Sequence, residues 1–153
     1  MGMRLQLRNL SIIFLLSILF SCATEKNIGL EPVNKISSNL DCSIIFSDSR
    51  KSIIELNDVL IQIGVTLDPS ESNVSIIHIG GKEQVMKLVK SDKTDKHVTE
   101  IYANKDYKLE LNYDLKYTLA GVNSKDPYFE GDCQLWHNGK HSKMNIYGLH
   151  NML

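Results

Sequence analysis

From Tyr107 to Leu119 every odd position is apolar and every even position from Lys108 to Thr118 is polar. Period two without an interruption predicts a β-strand with its odd face buried and its even face wet. Elsewhere the apolar residues come in shorter groups. Ile44 to Phe46, bounded by Ser and Asp, predicts a short buried strand. In the next stretch Ile53, Leu56, Leu60 and Ile63 recur at helical spacing, Asp48 or Ser49 is placed to cap the start, and Gly64 suits the left-handed position after the end. This spacing predicts a helix over Lys51 to Ile63, with Ile54, Val59 and Ile61 widening its apolar face. Further strands are predicted over Val65 to Leu67, over "NVSIIHI" before Gly80-Gly81, over "EQVMKLVK" and over "FEGDCQLWH", while "NIYGLHNML" carries no helical pattern. Together these elements predict an α+β fold, a mixed or antiparallel sheet of four to five strands with one main helix packed on one face.

The N-terminal apolar run has a different purpose. Arg4 and Arg8 precede Leu10 to Phe20, a charged region followed by an apolar core of signal-peptide length that is too short to span a bilayer. In "SILFSCATEK" the run ends on Leu19-Phe20-Ser21-Cys22, which resembles a bacterial lipobox, where a small residue precedes the cysteine that becomes the acylated N-terminus. Residues 1–21 are thus expected to be a lipoprotein signal peptide and Cys22 a covalent lipid tether. Buried acyl CH₂ groups contribute ~0.8 kcal/mol each, so several fatty (palmitate-type) chains hold the protein at the membrane. In a Gram-negative source, Ala23, where an inner-membrane retention signal would need Asp, favours sorting to the outer membrane. Residues 22–39 are polar, with Gly29 and Pro32, and are expected to form a flexible leader to a single small domain over residues 40–153.

The signal segment holds two of the seventeen Lys and Arg residues and none of the eighteen acids, so the remainder has a formal charge of −3. Such a balance gives no global attraction to nucleic acid. Cys42 and Cys133 lie near predicted strands in a disulfide-permissive compartment, and a bridge closing about ninety residues would stabilise by ~4 kcal/mol in the chain-entropy account. Buried free thiols are the alternative.

Candidate chemistry is sparse. His78, among isoleucines, reads as a partly buried strand histidine. Cys133, His137 and His141 would share one face of a helix and could hold zinc, but Asn138-Gly139 reads as a turn between them, so no metal site is assigned. There is no G-x-S-x-G elbow or phosphate loop, and the close acidic pairs fall in hydrated stretches. The sequence therefore points away from an enzyme and implies no cofactor. Lys82, Lys87, Lys90, Lys93 and Lys96 concentrate positive charge in "GKEQVMKLVKSDKTDKH". Lys87 and Lys90 flank Leu88 and Val89, a pairing of ammonium groups with apolar surface that suits an anionic amphiphile. Lysines protecting an exposed sheet edge are the alternative.

The order of lipobox, leader, strand, helix and long strands resembles the LPS-assembly lipoprotein (LptE) family. The matching stretches are "SIIFSDSRKSIIELNDVLIQIGVTL" and "NKDYKLELNYDLKYTLAG", within about residues 40–121. The family's long C-terminal helix has no counterpart in "MNIYGLHNML". The resemblance implies a non-catalytic outer-membrane lipoprotein facing the periplasm that assists lipopolysaccharide assembly by binding an outer-membrane β-barrel partner, with lipopolysaccharide as a candidate ligand. The alternative is a periplasmic binding or scaffold lipoprotein unrelated to lipopolysaccharide.

Overall fold

The computed structural model describes residues 29–35, 37, 40–66, 73–116 and 128–150. They form a closed antiparallel barrel of eight strands in sequence order. The strands are β1 (Leu40–Ser47), β2 (Ile61–Thr66), β3 (Val74–Ile79), β4 (Lys82–Lys93), β5 (His97–Ala103), β6 (Tyr107–Lys116), β7 (Tyr128–His137) and β8 (Lys140–His150). Each pairs with the next, and β8 returns to β1 with Ile44 opposite His150 and Ser47 opposite Tyr147. The predicted α+β sheet of four to five strands is therefore incorrect. Two segments without a strand assignment in the sequence reading, "HVTEIYA" and the C-terminal stretch, are β5 and β8. They complete the barrel instead of leaving a sheet face for a helix. Residues 1–21 and Cys22, the expected signal peptide and lipid site, lie outside the described residues.

The predicted helix is also shorter. Helix α1 spans Arg50–Glu55, and the Ser49 hydroxyl accepts the Ser52 N–H at 3.1 Å, capping its start. Leu56 (φ 54°) and Asp58 (φ 52°) are both left-handed, which ends the helix before Leu60. Ile61 and Ile63 then belong to β2 and face the barrel interior. Their spacing from Ile53 was compatible with a helix, but Ile61 and Ile63 are also two residues apart, as a strand requires. Gly64, expected after the helix, is a strand residue opposite Cys42 and Val74.

Alternation decides what lies inside. Leu109, Leu111 and Tyr113 of β6 point inward with Phe46, Ile61, Ile77, Met86, Tyr102, Leu135 and Ile146, and these buried side chains pack together in the lumen. Eight strands enclose about the width that packed side chains can fill. The other face of β6 carries Lys108, Glu110, Asn112 and Asp114. An apolar interior and a polar wall are the reverse of a lipid-facing barrel.

One glycine allows the close packing of aromatic groups near β1. A Cβ on Gly148 would lie 2.6 Å from the Phe46 ring, so the bare backbone leaves room for that ring. Phe46 makes an edge contact with Tyr113 at 5.2 Å, and Tyr113 makes another with Phe129 at 5.4 Å.

A second apolar cluster lies outside the barrel wall, where α1 covers Ile45, Tyr147 and Leu149 and the segment before β1 covers Ile76. Arg50 of α1 is ion-paired with Glu130 and lies over the rings of Tyr128 and Tyr147. Part of the expected leader is tied down as well. Glu31 donates its N–H to the His78 carbonyl at 2.8 Å, Val33 bridges Val59, and the Gln62 side chain accepts the Ser37 N–H at 2.7 Å. Leu30 packs against the lumen cluster.

Candidate binding groove and interior polar cluster

The turns β3–β4, β5–β6 and β7–β8 emerge at one end of the barrel because consecutive strands alternate in direction. Beside two of these turns the outer wall is indented by a groove of about 540 Å³ lined by residues of β4 to β7. Its apolar floor is formed by Val89, Ile101, Ala103 and Trp136, and its lysines are Lys90, Lys105 and Lys108. Val89 is 66% exposed and Val85, on the same outer face of β4, is 44% exposed. The indole of Trp136 is held between neighbours: the Lys108 ammonium is 4.3 Å from its centroid, and the His141 ring stacks at 6.1 Å. At the rim, Tyr107 and His137 stack at 4.4 Å, and His137 Nδ1 lies 2.9 Å from the Asp106 carbonyl oxygen. Cations on long apolar stems beside an aromatic plane provide both charge and apolar contact at one place.

The five lysines of the sequence cluster do not form one site. Lys87, opposite Ala103, and Lys90, opposite Ile101, share the outer wall beside Val89. Lys82 lies by the β3–β4 turn, opposite Ile79. Lys96 is in the β4–β5 turn, where its carbonyl accepts the Leu115 N–H at 2.8 Å. Lys93 turns inward. Its ammonium is 3.0 Å from Glu100 Oε1. β4 pairs with β3 over Lys82–Lys87 and with β5 over Lys87–Lys93, so an edge-protecting role is confined to the stretch after Leu88.

Glu100 is the centre of an interior cluster that the sequence reading missed. Its carboxylate is 2% exposed and accepts hydrogen bonds at Oε2 from the hydroxyls of Tyr102 (3.0 Å) and Tyr113 (3.2 Å). Burial first, and then the charge and hydrogen bond of Glu100, raise both phenols well above the usual tyrosine range. A carboxylate removed from water needs such partners, since its desolvation costs several kcal/mol. The available signal was Val98-Thr99-Glu100-Ile101-Tyr102, a period-two run with an acid on its inward face. Trp136, Lys105 and Lys108 were equally missed as a group, because they come from separate strands and turns.

Cys133 is a free thiol in the lumen, and burial, with the nearby Asp132 charge second, pushes its pKa up to about 12. The expected bridge to Cys42 is not present. β8 stands between β7 and β1, which places the two strands ~10 Å apart at the usual spacing, beyond the ~7 Å reach of a disulfide. Register separates them further: Cys133 is opposite Met144, whereas β1 meets β8 over Tyr147–His150, with Ile44, two residues after Cys42, already opposite His150. Cys133 faces the lumen while His141 contacts Trp136 on the outer wall, so the C-x₃-H-x₃-H spacing does not become a common site. His78 lies at the β3–β4 end with Nε2 3.9 Å from Glu83.

Comparison of the chain with protein-family models, curated proteins and solved structures returns no match.

Proposed function

We propose that the protein is a non-catalytic binding module of the cell envelope, tethered to the outer membrane through lipid on Cys22 and facing the periplasm, whose groove takes an anionic amphiphile of the lipopolysaccharide class. The observation that carries this reading is the groove, in which Trp136 and Val89 offer apolar surface beside Lys90, Lys105 and Lys108. The polar outer wall of β6 supports a barrel that stands in water and is held at the membrane by its tether. A general binding module is preferred to a dedicated component of lipopolysaccharide assembly, because the latter drew on a strand-helix-strand unit with a main helix and α1 has six residues.

Trp136 is the chain's single tryptophan, so its emission reports directly on the groove. Titration of the detergent-solubilised protein with lipopolysaccharide should change that emission saturably. The Lys90→Gln/Lys108→Gln variant should bind about tenfold more weakly at low salt, given up to ~1 kcal/mol per exposed ion pair, and the difference should shrink as salt is added. Unchanged affinity in this folded variant would remove the ligand and leave a scaffold. Co-purification of an outer-membrane β-barrel with the wild-type protein would instead favour the assembly reading.

A further inference from the structure

The segment before β1 sets where the chain leaves the barrel. Besides the bond from its N–H to His78, Glu31 accepts the Gly81 N–H on its carboxylate at 2.6 Å. Gly29 and Leu30 therefore lie at the end that carries the Gly80-Gly81 turn. Strand alternation places the turns at 104–106 and 138–139 at this end too, and these line the groove. Between Cys22 and Gly29 there are six residues, which can extend at most ~25 Å. A ten-residue strand such as β6 is ~33 Å long, which at the usual barrel tilt of about 35–45° rises roughly 25 Å along the axis. The opposite end is within reach only of a fully extended leader, so a lipid on Cys22 favours the groove end as the one next to the bilayer.

The surfaces at the two ends fit this orientation. Lys105, in the β5–β6 turn, and Lys108 stand beside Trp136, and Lys90 makes no ion pair among the described residues. Beside the groove Asp106 faces Lys105 at 3.9 Å and Glu110 lies 3.5 Å from Lys108, while at the β3–β4 turn Glu31 accepts the Gly81 N–H and Glu83 faces His78 at 3.9 Å. The β1–β2 connection at this end adds Asp48, Glu55 and Asp58 together with Arg50 and Lys51. The opposite end carries Asp92, Asp95 and Asp114 among its lysines, with Asp114 2.8 Å from His97 and 3.3 Å from Lys116. Exposed aliphatic side chains, an indole and snorkelling lysines are the groups that settle at the headgroup level of an anionic bilayer.

We infer that the groove end of the barrel docks on the phosphate-bearing headgroup surface of the membrane in which its own lipid tether is inserted. This rests on Cys22 being acylated and places the groove in the plane of the membrane, against anionic phospholipid headgroups, rather than free in the periplasm. The tether keeps the docking surface at high local concentration, so weak individual contacts suffice.

The test uses the full lipidated protein, extracted in detergent and reconstituted into vesicles of phosphatidylcholine with or without phosphatidylglycerol, each containing a lipid with a quencher near the headgroup. Trp136 emission should be quenched in the anionic vesicles and recover as salt is raised. Substituting Lys90, Lys105 and Lys108 by glutamine should lower the ratio of docked to undocked protein about fivefold per lysine. A reporter at the other end, Trp136→Phe combined with Thr94→Trp, should not be quenched. Equal quenching of the two reporters, or none in either, overturns the inference, as does an intact mass showing no acyl chain on Cys22. Binding of lipopolysaccharide in detergent without quenching in vesicles overturns the docking and leaves the groove as a ligand site. Quenching with no lipopolysaccharide response in detergent upholds the docking and removes the ligand reading.

Discussion

The ammonium of Lys93 lies 3.0 Å from the buried Glu100 carboxylate, joining the last residue of β4 to the interior of the barrel. The partners are unequally exposed, with the Lys93 side chain 56% and the Glu100 side chain 3% accessible. This asymmetry means that each partner has a different cost of removal. Lys93→Met leaves a carboxylate out of water with only two phenol donors, and its unfolding free energy should fall by about 1–2 kcal/mol after allowing for screening of the exposed ammonium. Glu100→Gln removes the charge, keeps an oxygen for Tyr102 and Tyr113, and returns Lys93 to solvent, so it should cost less. Urea denaturation of both variants checks the order, and a larger loss for Glu100→Gln would contradict it.

Tyr102→Phe and Tyr113→Phe each remove one hydroxyl donor from Glu100 Oε2. Each should cost about 1–3 kcal/mol, because the acceptor stays buried. The two losses should not add, since both variants act on one oxygen atom. A double-mutant cycle with no coupling energy would show that the phenols do not share the carboxylate.

Stability should decline at alkaline pH. The Cys133 thiol is held at about 12 by burial, against about 8.5 in an unfolded chain. The folded protein therefore retains a proton that the unfolded chain releases, so this contribution is fully present below about pH 8.5 and is lost as pH rises towards 12. Tyr102 and Tyr113, both raised by burial, act in the same direction. Each such group steepens the loss by about 1.4 kcal/mol per pH unit while its two states differ in protonation. Urea midpoints measured across this range should fall less steeply for Cys133→Ala. The native thiol should also resist alkylation at neutral pH and react after unfolding. Prompt alkylation of the folded protein would contradict the burial.

Gly148→Ala would place a methyl group 2.6 Å from the Phe46 ring. The variant should lose about 1–3 kcal/mol through overpacking. Shortening the opposing ring with Phe46→Leu should cost stability in the wild type yet recover part of the loss in Gly148→Ala. Thermal unfolding of the four proteins measures this, and additive losses would mean that the two positions do not compete for space.

Cys22→Ala should release the protein from membranes, because the preceding apolar run is too short to span a bilayer and the lipid would be the tether. Fractionation after a salt wash provides the measurement. Full retention of the variant in the membrane pellet would contradict the lipid anchor.

The alternation of β6 was legible in the sequence because strand period is a local property: Leu109, Leu111 and Tyr113 are buried as their positions predict. The Asn138-Gly139 turn was legible for the same reason, since both residues adopt positive φ within a two-residue connection. Helix α1 was half legible. Its Ser49 cap is local, whereas its end at Leu56 competes with an apolar spacing shared by helix and strand. Barrel closure was not legible, because the pairing of Ile44 with His150 joins residues from opposite ends of the domain and no short stretch encodes that partner. The groove shares this origin: Lys90, Lys105, Lys108 and Trp136 become neighbours only when four strands align. Sequence alone determined which residues alternate, where turns fall and the lipobox pattern at Cys22, all set by local sterics and short-range order. Tertiary structure decided that the strands close on themselves, that Lys93 meets Glu100 inside and that the segment at Glu31 reaches the end of the barrel that carries the groove, because these depend on strand register and on the exclusion of water from a shared interior.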